Sequence, residues 1–283
     1  MGLRRLHVLG VWDRPALRLL AVPAGAGPSA IEAIPLAGGF AFTAWPTKTC
    51  VGQVDDDGVH RPCPTAEPAW RHRQCARCSG LDDPDCVFEP KCRDDPASCH
   101  CLATFKGVPH VVYLAFHGTL PKVGLTTERR VEGRLREQGA DAWMVVQPCP
   151  DRGTARQNEM AISYLYGYPE HRSHRETLPQ LARPVPWDAI EKRAADARQR
   201  LQERHPVERS LHRIEDHPIR QPIGGVPRRV PVEGLHEGTW IGAKGTHLVY
   251  REAPSPRRLD LDGGPLAALK RSDLVGRIVE WQD

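Results

Sequence analysis

Four cysteines in the first third of the chain have a spacing that suits a metal ion. Cys50, Cys63, Cys75 and Cys78 are separated by 12, 11 and 2 residues. The Cys-x2-Cys pair places two sulfurs on one tight turn, and a tetrahedral zinc ion with bonds of about 2.3 Å needs two further thiolates from elsewhere. The pattern therefore predicts a structural zinc site. The alternatives are a redox pair at Cys75 and Cys78, or free thiols.

A second group of cysteines follows in the same segment. Its members are Cys86, Cys92, Cys99 and Cys101, with His100 as an alternative fourth ligand. The single residue between Cys99 and Cys101 makes a strained chelate, which is unusual for zinc. One interpretation is a second structural zinc site, and the other is that these thiols are buried or share ligands with the first site. The isolated Cys149 is expected to be a packed small residue.

Periodicity and turn residues predict the elements that must position these groups. Residues 1–48 have the pattern of short strands separated by Pro and Gly, and residues 49–103 have little periodicity of their own. Further along, the pattern predicts a strand, a strand, a helix, a strand and a helix. In that order, these elements are His110–Ala115, Pro121–Leu125, Glu128–Gln138, Ala142–Val146 and a helix that begins at Thr154 and ends at Gly167.

The remaining third of the chain is mostly helix and then strand. The segment 171–176, flanked by prolines, is expected to be a solvated basic loop, with a metal site as the alternative. Trp187–His205 is predicted to be a charged helix, and short strands are expected around 240–241, 247–251 and 277–281. The predicted divisions are 1–48 (β), 49–103 (Cys-rich), 104–180 (α/β core), 181–230 (helical linker) and 231–283 (β, pairing with 1–48).

Composition and charge exclude some classes of function. The net charge of +4 is too small to indicate nucleic-acid binding by itself, but it is unevenly distributed. Six basic and ten acidic residues lie from Cys50 to Cys101, whereas ten basic and seven acidic residues lie from Lys106 to Arg175. A polyanion would therefore meet the middle of the chain first. No stretch resembles a signal peptide or a membrane span, so a cytoplasmic protein without a membrane partner is expected.

Three stretches after the cysteines resemble a family known only as domain of unknown function 2797. They are Pro109–Ala115 (PHVVYLA), Pro121–Thr126 (PKVGLT) and Arg134–Ala140 (RLREQGA). The resemblance covers roughly residues 48–180 and implies a core similar to the GIY-YIG endonuclease domain. In that domain two strands precede a helix with a catalytic arginine, and a later helix carries a metal-binding glutamate. The predicted order of elements agrees with this arrangement.

The resemblance assigns roles to individual positions of this chain. Tyr113 matches the tyrosine of the first signature, Gly124 the glycine that closes the second, Arg134 the helix arginine and Glu159 the metal-binding glutamate. The chain departs from the signatures in three places and in the position of the arginine, which comes two residues late. Those places are Val111 for a glycine, Lys122 for a tyrosine and Gln138 where histidine is frequent.

Phosphodiester hydrolysis gives each of these residues a chemical task. Tyr113 is the candidate base, on the condition that Lys122 or a metal-bound water lowers its pKa from about 10. Arg134 is a bidentate donor for phosphate oxygens, and Glu159 would hold magnesium or manganese. Arg129, Arg130 and Arg136 would add phosphate contacts without sequence preference. The alternatives are a packed tyrosine, an edge-strand lysine and a surface ion pair for Arg134, whereas the helical face that Glu159 shares with Ile162 favours a semi-buried carboxylate held for a purpose.

The sequence therefore predicts an α+β protein. A zinc-bound Cys-rich segment precedes a GIY-YIG-like core with an antiparallel sheet and helices, followed by a terminal β-domain. The predicted function is that of a metal-dependent endonuclease or phosphodiesterase acting on DNA or RNA. The alternatives are a nucleic-acid-binding module without hydrolysis, and another enzyme that uses the same pocket for a small anionic ligand.

Overall fold

The computed structural model describes most of the chain and divides it into two units. The described residues are 2–12, 16–54, 59–69, 73–79, 107–182, 185–215, 217, 219, 223–254 and 264–282. One unit combines Met1–Pro84 with Pro227–Asp283, and the other is Asp85–Val226. The class is mixed α/β, as predicted. No helix within the described ranges has the length and apolar character needed to cross a membrane.

The first unit is built on a nine-stranded sheet formed by both ends of the chain. Its strands, in chain order, are β1 Leu3–Trp12, β2 Arg18–Pro23, β4 Glu32–Pro35, β5 Gly39–Lys48, β12 Arg228–Arg229, β13 Gly234–Lys244, β14 His247–Glu252, β15 Leu266–Lys270 and β16 Arg277–Gln282. The spatial order is β12-β15-β14-β13-β5-β16-β1-β2-β4. The last strand, β16, therefore lies between β5 and β1 and pairs antiparallel with both.

Alternation along the strands produces the core of this unit. In β5, Phe40, Phe42 and Ala44 are buried, whereas Ala41 and Thr43 between them are less so. Side chains at i and i+2 share one face of a strand, so this alternation directs one face of β5 into an apolar core. Trp240 of β13 stacks on Phe40 there, with the ring centroids 4.0 Å apart. A short helix, α6 Arg271–Leu274, precedes β16.

A smaller sheet lies next to the cysteines. It consists of β3 Ser29–Ala30, β6 Gln53–Val54 and β7 Val59–Arg61, in the order β3-β7-β6. One helical turn, α1 Ala76–Ser79, follows. These elements are too short to bury a core of their own, and their main buried cluster contains Cys50, Cys75 and Cys78.

The second unit contains a four-stranded sheet and longer helices. The strands are β8 His110–His117, β9 Leu120–Thr127, β10 Ala142–Cys149 and β11 His212–Arg213, in the spatial order β11-β10-β8-β9. The helices are α2 Val131–Gln138, α3 Arg152–Tyr166, α4 His174–Ala182 and α5 Trp187–Leu201. Every residue of β8 is buried, because apolar residues cover both faces of this central strand.

The helices pack on opposite faces of this sheet. Leu135 of α2 joins the cluster that contains Tyr113 and Ala115 of β8. Ile162 of α3 and Ile190 of α5 join the cluster on the other face, with Leu114 and Phe116 among its members. The hairpin β8–β9 is therefore held between helices, and its register is determined by two apolar faces.

Three local predictions in this unit need correction. The sequence predicts Thr154 as the N-cap of α3, but the N-cap is Asp151, whose carboxylate accepts a hydrogen bond from the Thr154 amide at 2.8 Å, and the helix begins at Arg152. The predicted helix 128–138 starts with a 3-10 turn, Glu128–Arg130. The expected loop at 171–176 instead contains the first residues of α4.

Candidate functional sites: a thiolate cluster and a charged cluster

The predicted zinc ligands form a compact cluster of sulfur atoms. The Sγ atoms of Cys50, Cys63, Cys75 and Cys78 all lie within 4.8 Å of one another, and those of Cys63 and Cys75 are 3.9 Å apart. A tetrahedral ion with zinc–sulfur bonds of about 2.3 Å would place its sulfurs at nearly this separation. Four soft donors with this geometry fit zinc, so the predicted four-cysteine cluster able to hold a metal is confirmed.

The backbone around Cys50 is arranged for such a site. The amides of Gly52 and Cys75 donate hydrogen bonds to the Cys50 sulfur at 3.4 and 3.2 Å. Gly52 adopts φ +71°, and a Cβ atom at this position would lie 2.1 Å from the carbonyl oxygen of Arg61. Only glycine is therefore tolerated at the turn that directs an amide towards this sulfur.

The four thiols differ in exposure and in acidity. Cys63 is the only partly exposed member, and its pKa is lowered to about 6: burial raises it, but hydrogen bonds from Thr65 and from the backbone of Glu67 outweigh that effect. Burial raises the pKa of Cys50 and of Cys78. Several buried thiolates cannot ionise side by side without a compensating cation, which a metal would supply.

Of the other five cysteines, Cys149 is the one within the described part of the chain. Cys86, Cys92, Cys99 and Cys101, like His100, lie outside the described residues, so the second zinc site stays a prediction. Cys149 is buried at the end of β10, where its sulfur accepts a hydrogen bond from the Asn158 side chain at 3.5 Å. Burial raises the pKa of its thiol, as expected for a packed cysteine and not for a nucleophile.

The second unit contains a charged cluster, formed by Lys122, Arg134, Arg156, Glu159 and Glu170 in the surroundings of Tyr113. The register of the β8–β9 hairpin positions Tyr113 and Lys122. Tyr113 is paired with Gly124, and Ala115 with Lys122, so these side chains share one face of the sheet. The Tyr113 ring lies directly over Gly124, where a Cβ atom would come within 2.5 Å of the phenol oxygen. The glycine expected from the second signature thus has a steric reason, since it leaves room for the tyrosine.

Tyr113 itself is fully buried. The Gln138 side chain of α2 donates a hydrogen bond to the phenol oxygen at 3.1 Å. Burial raises the pKa of Tyr113 to about 12, and the opposing effects of Gln138 and Arg134 are smaller. The condition set for a catalytic base was a lowered pKa, and the structure shows the opposite direction because the phenol is desolvated.

Lys122 is a buried ammonium group on the edge strand β9. Its side chain is 8% exposed, and burial together with the charge of Arg134 lowers its pKa to about 8, against the opposing effect of Glu159. Among the described residues it has neither a hydrogen bond nor an ion pair. The Nζ atom still touches solvent, since it is not one of the enclosed nitrogens that lack a partner.

Glu159 lies on the buried face of α3 and has a cationic partner that sequence patterns did not identify. Arg156 donates from Nη1 to the Glu159 carboxylate, and the same nitrogen contacts Glu170 at 2.9 Å. Burial raises the pKa of Glu159, and Arg156 opposes that change. The signal that could have identified Arg156 is its position three residues before Glu159 on one helical face.

The arginines of α2 and the preceding turn lie at the surface. Arg134 is exposed and pairs with Glu137 at 3.2 Å, the surface ion pair anticipated as its alternative role. Arg129 and Arg130 are exposed, and Arg136, which is half-buried, pairs with Glu132 on its own helix. Arg134 still lies close enough to affect the pKa of both Tyr113 and Lys122, and so does Glu159. Arg134 and Glu159 therefore each lie within electrostatic range of Tyr113 and Lys122.

The oxygen donors of this cluster suit a hard divalent cation. Glu159 and Glu170 converge on one guanidinium nitrogen, and carboxylate oxygens are the ligands that magnesium prefers. Arg156 supplies the positive charge between them in the structure. These two carboxylates are the residues that could hold magnesium or manganese.

In the segment 171–176, the carboxylate of Glu176 has a structural role. It accepts a hydrogen bond from the Ser173 amide at 2.8 Å and pairs with Arg172 at 2.7 Å. These contacts lower the pKa of Glu176 to about 2. This carboxylate caps the start of α4.

Comparisons with known proteins give a family without an assigned function. Neither the comparison with curated proteins nor that with solved structures found a match. The family described as protein of unknown function (DUF2797) matches residues 40–255, which include both the thiolate cluster and the charged cluster. This match covers well over half of the chain, and the protein belongs to the DUF2797 family.

Proposed function

We propose that this protein is a divalent-metal-dependent phosphodiesterase that acts on DNA or RNA, with a zinc ion as a structural support. The observation that carries the proposal is the proximity of Lys122, Arg134 and Glu159, which are remote in sequence, around the buried Tyr113. Phosphoryl chemistry needs cations that neutralise the reacting oxygens and a carboxylate that holds a metal, and all of these groups are present.

The nucleic-acid backbone would be bound along α2 and the turn before it. Arg134 projects at the surface beside the buried groups, so it can contact solvent and a phosphate at the same time. Arg129 and Arg130 lie exposed on the adjacent turn. Guanidinium groups bind phosphate oxygens in a bidentate manner and without sequence preference, which suits a contact to the backbone.

Glu159 and Glu170 would hold the metal ion. When bound, magnesium or manganese would supply an activated water and charge for the leaving oxygen. The residues of this chain would do the rest. Arg156 would remain with one of the two carboxylates as their charge balance. Gln138 would hold the Tyr113 phenol in place over Gly124, and burial would keep that phenol neutral. We therefore assign Tyr113 a positioning role, because its oxygen is buried and its pKa is raised.

The pattern of elements supports the same proposal. A strand pair, a helix, a further strand and a second helix follow one another from β8 to α3. The GIY-YIG domain has this order, with its arginine on the first helix and its glutamate on the second. We propose that residues 107–182 have a GIY-YIG-like core, with Arg134 and Glu159 in these two positions.

The test is a nicking assay on supercoiled plasmid, and on labelled RNA, with and without magnesium. Wild-type protein is expected to cut one of these substrates only with the metal. Glu159→Gln should reduce the rate at least about a hundredfold, since it removes the metal-binding charge. Glu191→Gln, on the exposed face of α5, is the matched control. An unchanged Tm of both variants excludes a folding defect, and full activity of Glu159→Gln would disprove the assignment.

A second candidate is a nucleic-acid-binding protein without hydrolysis. Two observations favour it: Arg156 already neutralises Glu159, and Tyr113 is sealed from solvent. Such a protein should bind DNA or RNA with an affinity that falls steeply with salt. Its affinity should be unaffected by Glu159→Gln and weakened by Arg129→Gln and Arg130→Gln, and no cleavage should occur with any metal.

A further inference from the structure

Lys122 differs from other buried charged side chains in the molecule. Glu159 is balanced by Arg156, and the buried Arg277 is balanced by Glu233 at 2.8 Å. Within the described part of the chain, the Lys122 ammonium has no such contact. A buried and unpaired charge is costly, and proteins retain one mainly where a ligand or a reaction uses it.

The charged groups around Lys122 already have ionic partners. Arg134 and Arg172 both act to lower its pKa, so they lie in its surroundings, and they pair with Glu137 and Glu176. The nearby anions are Glu159 and Glu170, and both are already bound to Arg156. Lys122 is therefore the one cation of this group that has no carboxylate partner among the described residues, and an added anion would supply one.

The ordinary explanation for a lysine on an edge strand does not apply here. Edge lysines prevent strand addition by projecting a charge into solvent next to free backbone groups. The outer edge of β9 is already covered: the Val123 amide donates to the Pro169 carbonyl at 3.1 Å, and the Arg172 side chain donates to the Pro121 carbonyl. Lys122 is also buried, so its charge does not project freely into solvent.

We propose that Lys122 is the anchor of an anion-binding subsite that takes a phosphate group, with Arg134 as its second donor. Phosphate fits better than a single carboxylate, because it offers several charged oxygens to two cations that approach from different elements, β9 and α2. The phosphate can come from free phosphate, from a nucleotide or from a nucleic-acid backbone. The subsite rests on the proposed function in sharing its charged cluster, but it requires neither a divalent metal nor hydrolysis.

The test measures phosphate binding to the full chain in a chelator-treated, magnesium-free buffer at constant ionic strength. Titration calorimetry would use three probes in turn: inorganic phosphate, a nucleoside 5′-monophosphate, and a short oligonucleotide without terminal phosphate. Lys122→Met is expected to weaken binding of the recognised probe about tenfold or more, because a charge-assisted hydrogen bond is lost. Lys122→Arg should retain part of the affinity, and Lys192→Met, on the exposed face of α5, should retain all of it.

The outcomes separate the subsite from the catalytic proposal. Lys122-dependent binding of inorganic phosphate or the monophosphate would identify a free phosphate ligand, and binding of the oligonucleotide alone would identify the backbone. Equal affinity of wild type and Lys122→Met, or no binding of any probe, would overturn the subsite. Phosphate binding without plasmid or RNA cleavage would leave the subsite standing and refute the nuclease. Cleavage together with unchanged phosphate affinity in Lys122→Met would support the nuclease and refute the subsite. The unliganded Tm of each variant verifies that it is folded.

Discussion

The thiolate cluster and the charged cluster solve the problem of burying reactive groups in opposite ways. In the thiolate cluster, four cysteine sulfurs lie within 4.8 Å of one another, and a single cation could neutralise them all. In the second, cations and anions are mixed, and Arg156 already satisfies Glu159 and Glu170. The capacity of the thiolate cluster to hold a metal therefore follows from the type of its ligands. The chemistry of the charged cluster depends instead on which charged side chain has no ionic partner.

The difference also concerns stability. The segment around the cysteines has three strands of two or three residues and one helical turn, so a metal ion bound there would supply much of its folding energy. The charged cluster is set into a sheet whose two faces are covered by apolar residues, and this packing holds the cluster whether or not a ligand is bound. Metal loss and charge removal should therefore have effects of different size and sign.

The largest effect is expected for Cys78→Ser. A structural zinc site contributes on the order of 10 kcal/mol to the folding of its segment, so loss of one ligand should release one equivalent of metal and expose residues 50–78 to protease. Metal analysis and limited proteolysis measure both changes. Cys149→Ser is the matched control, because this buried cysteine lies outside the cluster. A Cys78→Ser protein with the metal content of wild type would contradict the assignment of Cys78 as a metal ligand.

A smaller effect with the opposite sign is expected for Lys122→Met without ligand. Burial lowers the pKa of Lys122 from 10.5 to about 8, which corresponds to a cost of about 3 kcal/mol for the charged form in the folded chain. Below about pH 8 both folded and unfolded chains carry the proton, so the full cost applies and the variant should be more stable by up to that amount.

The same prediction has a defined pH window. Between about pH 8 and 10.5 the folded chain releases its proton before the unfolded chain does, so wild-type stability should rise with pH and the advantage of Lys122→Met should shrink. Denaturant unfolding of both proteins across this range measures the difference. A variant that is less stable than wild type at pH 7 would show that the ammonium has a stabilising partner.

The smallest effect on stability is expected for Arg134→Gln. Its ion pair with Glu137 is exposed on both sides, so its loss should change the free energy of unfolding by less than about 0.5 kcal/mol. Nucleic-acid binding should nevertheless weaken, and its salt dependence should become less steep. Arg198→Gln on α5 removes an arginine outside the cluster and should leave binding unchanged. A large loss of stability in Arg134→Gln would mean that the arginine is structural.

Local signals were sufficient for most elements of the second unit. Gly118, Gly139 and Gly167 all adopt positive φ at the points where a strand or a helix ends, and such turns can be identified from the residue type. The strand, strand, helix, strand, helix order is confirmed for this reason. The predicted N-cap of α3 lies three residues after the actual one, because Asp151 and Thr154 are both good caps and only the folded backbone selects between them.

The helix α4 shows where local signals mislead. Pro179 lies inside it, and a proline is a strong local signal against a helix interior. Leu178 and Leu181 are nevertheless buried, so packing of this helix outweighs the loss of one backbone hydrogen bond. Burial of this kind depends on how the whole chain packs, which no local pattern contains.

The sequence alone determined the four cysteines that can hold a metal, since thiolate chemistry and a Cys-x2-Cys turn are local properties that hardly depend on the rest of the fold. Its resemblance to the GIY-YIG domain also indicated that Lys122, Arg134 and Glu159 share a site with Tyr113. Only the tertiary structure decided that Tyr113 is a buried phenol with a raised pKa, that Arg156 neutralises Glu159, and that Lys122 has no ionic partner among the described residues. Desolvation and charge pairing depend on which distant side chains surround a group, and that is settled when the chain packs.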